Sequence, residues 1–120
     1  KELRVISIEN SRKLTIRLPD ELKDNLKNTA NDLGFTLTSF LRIAIFKYLD
    51  VPELPDIDKF DLPKEKDARI NFTVNNWTYT ILQRQSDKYN LSITDLVVYA
   101  SLHALDYYVP LVKLTKNRNN

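Results

Sequence analysis

The sequence predicts an α+β fold that is mainly α: two β-α-α units in one chain, forming a pseudo-two-fold domain around a two-stranded antiparallel ribbon. Three observations predict it. The chain repeats its own pattern 56 positions apart without a gap. Lys13-Leu14-Thr15-Ile16-Arg17-Leu18 lies over Arg69-Ile70-Asn71-Phe72-Thr73-Val74, and the register holds at Leu26 over Leu82, Gly34 over Asn90, Thr36 over Ser92, Thr38 over Thr94 and Ala44 over Ala100. Each copy opens with alternating apolar and polar residues and continues with helical spacing, so a strand precedes two helices. A unit of about 36 residues is too small to close a core alone, so the copies are expected to fold onto each other.

Taken in order, residues 1–12 are an N-terminal arm or extra strand, 13–49 the first unit, 50–68 a linker, 69–108 the second unit and 109–120 a basic tail. Leu3-Arg4-Val5-Ile6-Ser7-Ile8 reads as a strand that adds to the ribbon edge, pairs with another chain, or serves as a mobile arm whose Arg4 and Arg12 touch phosphate. In the first unit Pro19 ends the strand and suits a first helical turn, and Asp20 and Glu21 place negative charge at the helix's positive end. Leu22, Leu26, Ala30 and Leu33 then form one apolar stripe, which Gly34 terminates. In the second unit Asn75 or Asn76 supplies the cap, Val74, Trp77, Ile81, Leu82 and Tyr89 the apolar face, and Asn90 the left-handed terminus. Thr36 and Ser92 cap the second helices, with Asp95 three residues beyond Ser92 approximating a capping box. Phe40, Leu41, Ala44, Ile45 and Leu49 line one of these helices, and Leu96, Val97, Ala100, Ala104 and Leu105 the other.

Composition disfavours an enzyme. The 120 residues include no Cys, one His and one Gly, which leaves no thiolate nucleophile, His-based metal site or Gly-rich phosphate loop. His103, within the last helix, reads as a packing or surface residue. No cofactor is expected. No apolar run reaches the roughly 18 residues of a membrane span and nothing resembles a signal peptide, so the expected location is the cytoplasm. The chain begins with Lys1 rather than Met, so the sequence does not establish where the protein itself starts.

Charge is unevenly placed. Of 18 basic and 16 acidic residues, positions 50–67 hold three and seven, a net of −4, so the remainder carries 15 against 9, or +6. Pro52, Pro55 and Pro63 lie in the same stretch, which reads as an extended, solvated connector. The alternative is an acidic strap folded over a basic face in competition with DNA. After Asp106 the tail holds Lys113, Lys116 and Arg118 and no acid, a solvated end or an extra contact to a nucleic-acid backbone.

The strands carry the argument for function. Leu14, Ile16, Leu18, Ile70, Phe72 and Val74 fall on one face of the paired strands, and Lys13, Thr15, Arg17, Arg69, Asn71 and Thr73 on the other. A half-buried strand with a polar solvent face would show the same alternation. Two matched copies with no third strand favour base readout, because Arg and Lys donate to guanine, Asn bonds adenine on two atoms and Thr offers a hydroxyl and a methyl. A two-stranded ribbon also fits the major groove. Arg17 is expected to specify a guanine on one side of the site and Asn71 an adenine on the other.

Leu14-Thr15-Ile16-Arg17-Leu18-Pro19-Asp20-Glu21-Leu22 and Gly34-Phe35-Thr36-Leu37-Thr38-Ser39-Phe40-Leu41 resemble the opening signature and the glycine-led turn of the ribbon-helix-helix superfamily of DNA-binding proteins, the Arc/MetJ type. The resemblance is closer over 13–49 than over 69–106, where Asn75, Trp77 and Asn90 depart from the pattern. It implies base contacts from Thr15, Arg17, Asn71 and Thr73, with Lys13 and Arg69 at the ribbon ends, and phosphate contacts around Thr36, Thr38, Ser92 and Thr94. Two units in one chain resemble the tandem accessory proteins of plasmid-transfer relaxosomes. The implied function is a sequence-specific protein of a plasmid or other mobile element, acting at an origin of transfer in conjugation, as a transcriptional repressor, or both. The implied partners are double-stranded DNA and a relaxase or other mobile-element protein, with a single chain acting as a pseudo-dimer that can associate further on DNA. The alternative is an antitoxin-like module that holds a partner protein.

Overall fold

The computed structural model describes residues 11–119. The readings placed on Leu3 to Ile8 lie outside the described residues, and so does the side chain of Arg118.

The element order is β1 (Arg12–Leu18), α1 (Asp20–Leu33), α2 (Leu37–Leu49), a short 3-10 turn (Ile57–Lys59), β2 (Ala68–Val74), α3 (Asn76–Tyr89) and α4 (Ile93–Asn119). β1 and β2 pair antiparallel within the one chain, from Arg12 opposite Val74 to Leu18 opposite Ala68. Alternation sets which face is inward: Ile16, Leu18, Ile70, Phe72 and Val74 are buried, and Leu14 is half-buried against the same core. The core continues through Leu22, Leu26 and Ala30 of α1, Phe40, Leu41, Ala44, Ile45 and Leu49 of α2, and Ile81 and Leu82 of α3. In α4 every residue from Leu96 to Ser101 is buried, so this segment is surrounded on all sides rather than amphipathic.

Caps fix where the helices begin and end. Gly34 adopts φ 85 and donates its amide to the carbonyls of α1, and Asn90 does the same work at φ 56 after α3. Thr36 Oγ1 accepts from the Ser39 amide at 3.2 Å, Asn75 Oδ1 from Thr78 at 2.8 Å and Ser92 Oγ from Asp95 at 3.0 Å. Trp77, expected on the apolar face of α3, is instead 64% exposed. The inward positions are Thr78, Ile81, Leu82 and Gln85, and Trp77 sits about 100° around the helix from Thr78.

The linker departs from the solvated connector the sequence suggests. Leu54 is buried, and Val51, Ile57, Phe60 and Leu62 pack against the core. Gln85 Nε2 donates to the carbonyls of Leu49 at 2.7 Å and Val51 at 2.9 Å. Tyr99 donates its hydroxyl hydrogen to the Pro55 carbonyl at 2.7 Å, while Phe60 meets Tyr99 edge-on at 4.8 Å and stacks on His103 at 5.0 Å. His103 therefore packs, between Phe60, Tyr99 and Tyr48. Two of the linker's acids face α3: Asp50 pairs with Arg84 and Glu53 with Lys88, both at 3.2 Å. Prolines and acids dominate the composition of this stretch, but apolar residues at every third position from 51 to 60 hold it down.

The segment 109–119 is likewise no simple tail. α4 runs on through Pro110, which lacks the amide for one helical bond, to Asn119. The extension borders α1, where Lys116 pairs with Asp32 at 3.2 Å. Tyr107, Leu111 and Leu114, at helical spacing, remain 50%, 42% and 50% exposed. Among the described residues no helix is long and apolar enough to cross a membrane.

Candidate nucleic-acid interface

Strand pairing gathers all six ribbon residues on one exposed face: Lys13, Thr15 and Arg17 from β1, and Arg69, Asn71 and Thr73 from β2. Their register is specific. Lys13 lies opposite Thr73, Thr15 opposite Asn71 and Arg17 opposite Arg69. Thr15 and Asn71, the positions that match in the repeat, meet at the middle of the ribbon, where the Thr15 hydroxyl donates to Asn71 Oδ1 at 2.8 Å. The sequence expectation that Arg17 and Asn71 serve opposite sides is therefore corrected, because Asn71 is central and the ribbon has one Arg–Arg end and one Lys–Thr end.

The facing arginines are an electrostatic cost. Like charges directly opposite on an antiparallel pair destabilise it, and among the described residues neither guanidinium has a carboxylate within ion-pair distance. Lys13 is unpaired in the same sense. The face thus holds three cations and no acid.

Two helical side chains that the sequence reading missed grip the ribbon edges. Lys23 of α1 donates to the Arg69 carbonyl at 2.8 Å. Arg42 of α2 donates through Nε to the Thr73 carbonyl at 2.9 Å and reaches Thr73 Oγ1 at 3.4 Å. Helical spacing shows only that Lys23 and Arg42 lie off the apolar stripes, and their contacts to a strand 31 to 46 residues away are a tertiary fact. Arg12, read as part of a mobile arm, is instead the first residue of β1 with its guanidinium 4.5 Å above the Tyr79 ring. At the other strand end the Asp67 carboxylate accepts the Asp20 amide at 3.1 Å, tying the start of α1 to β2.

The four residues expected at phosphates divide by environment. Thr36 and Ser92 are exposed, with their hydroxyls engaged as caps, while Thr38 and Thr94 are half-buried in the first turns. The start of α2 carries no acid and opens onto a cleft lined by Lys23, Lys27, Asn28, Asn31 and Phe35. The start of α4 carries Asp95 in its first turn. A helix N-terminus attracts anions through its amides and dipole, so the α2 end suits a phosphate better than the α4 end. Among the described residues no group of His, Cys, Asp and Glu side chains is arranged to hold a metal ion.

In comparisons with known proteins, no family model, curated protein or solved structure matches this chain.

Proposed function

We propose that the chain is a sequence-specific double-stranded DNA-binding protein of ribbon-helix-helix type, in which residues 13–49 and 69–108 close about a pseudo-two-fold axis and the ribbon enters the major groove. The observation that carries this reading is the ribbon face, where six polar side chains from two matched segments stand together and Arg17 faces Arg69 without a compensating acid. A strand pair needed only for stability would gain by losing one of those charges, whereas a polyanion offsets both. The Thr36 end of α2, with Lys23 and Lys27 beside it, suits a flanking phosphate, and Thr38, Ser92 and Thr94 complete the backbone contacts.

The role favoured by the resemblance is an accessory factor at an origin of transfer of a plasmid or mobile element in the cytoplasm, beside a relaxase, with repression of transcription as the companion role. The exposed stripe of Tyr107, Leu111 and Leu114 favours a second reading, an antitoxin-like module that holds a partner protein. Selection of binding sites from a random duplex pool separates the two. The first reading expects an asymmetric site, and Arg17→Ala should relax preference at the Arg17/Arg69 end by about 1 to 3 kcal/mol while the thermal melt is not lowered. A parent protein that selects no sequence overturns it.

A further inference from the structure

We infer that Thr15 and Asn71 read DNA as one unit, the Thr15 hydroxyl fixing the orientation of the Asn71 amide that meets the base edge at the centre of the site. This inference rests on the DNA-binding reading above.

The argument starts from the inventory of one amide. Asn recognises adenine with both of its ends, Oδ1 accepting from the exocyclic N6 and Nδ2 donating to N7. In this ribbon Oδ1 already accepts the Thr15 hydroxyl hydrogen at 2.8 Å, while Nδ2 makes no hydrogen bond among the described residues. Oδ1 keeps a second lone pair and Nδ2 both of its hydrogens, so the amide still offers an acceptor and a donor to a base edge, while the Thr15 hydroxyl fixes which way each points.

The location makes the coupling direct. Thr15 and Asn71 are Cα partners at the midpoint of a seven-residue pairing, and both are exposed on the face away from the core. Cross-strand partners of this kind stand within side-chain contact. Thr73, the one residue with a hydroxyl on β2, is tied to Arg42 instead, so only Thr15 supplies a hydroxyl to the centre. The two halves of the chain thus share one reading element, and a substitution in β1 should alter a preference seated on β2.

The experiment is binding-site selection from a random duplex pool with the parent, Thr15→Val, Asn71→Ala and the double variant. Valine suits an exposed strand position, and a thermal melt checks that the fold is kept. The expected result is a preferred base in the parent at the base pair that Asn71→Ala relaxes. Thr15→Val should weaken preference at that same base pair by roughly tenfold, and should add nothing in the double variant. The coupling is overturned if Asn71→Ala relaxes a base pair that Thr15→Val leaves alone, or if the double variant loses more than Asn71→Ala does. A parent with no sequence preference overturns the DNA-binding reading itself and this inference with it.

Discussion

Gln85 is 1% exposed yet carries an amide, and that amide holds the point where the chain leaves α2. Its two N–H groups serve the carbonyls of Leu49 and Val51, which have left the helical ladder and would otherwise be buried without donors. Gln85→Ala should therefore cost about 1 to 3 kcal/mol by orphaning them, read as a lower denaturant midpoint. Tyr99 makes the companion contact to Pro55, and burial, with Asp56 nearby, pushes its phenol up to about 12. The native state thus holds this proton more tightly than the unfolded chain, in which a tyrosine titrates near 10. The contribution is intact below pH 10 and is lost as the pH climbs from 10 to about 12. Thermal melts across that range should show a steep alkaline loss of stability that Tyr99→Phe reduces, and an equal loss in both proteins would refute the assignment.

Each helix owes its limits to identifiable residues. Gly34 sits at φ 85 with open space where a side chain would project, so Gly34→Ala meets no clash and costs only the strain of a left-handed alanine, about 1 kcal/mol. Asn90 holds the equivalent place at φ 56, and Asn90→Gly should be close to neutral by the same measurement, chemical denaturation. α4 breaks the symmetry of lengths, with 27 residues against 13 for α2. Beyond Tyr108, which meets Phe40 edge-on at 5.8 Å, it outlasts the core, and its hold on the body narrows to the α1 side, where Lys116 meets Asp32. Pro110 weakens the extension by removing one helical donor. Pro110→Ala should raise the protease resistance of the last ten residues, and unchanged cleavage there would show that the extension is set by its packing alone.

Across the whole molecule two acids of the linker, Asp50 and Glu53, are engaged with α3, and the ribbon face and the first turn of α2 carry no acid. DNA binding of this kind should weaken steeply with added salt, by about 0.9 in log affinity per unit of log salt for each phosphate neutralised. A slope of several units is expected in a titration on a selected duplex. Lys116→Ala should then weaken all duplexes about equally, since that side chain lies on α4 beside α1 rather than on the ribbon. A change in sequence preference instead would place the extension at the bases.

The repeat, the strand alternation and the caps at Thr36, Asn75 and Ser92 are local patterns, and local patterns are what a sequence determines by itself. They were enough to predict a mainly α fold around an antiparallel pair of strands and to put Lys13, Thr15, Arg17, Arg69, Asn71 and Thr73 on one face. Trp77 lies outside because the inward stripe of α3 runs along Thr78 and Gln85, polar residues that an apolar pattern passes over, which leaves Trp77 beside it. The composition of the linker suggests a solvated connector, whereas the spacing of Val51, Leu54, Ile57 and Phe60 is what holds it to the core. The partners across the ribbon were beyond any local pattern: Thr15 meeting Asn71, Arg17 facing Arg69, and Lys23 and Arg42 reaching the ribbon edges all depend on the register between segments 56 residues apart and on how two helices cross them. Only tertiary structure decides that register, because it is set by the joint burial of the inner faces and not by any residue's own neighbours in sequence.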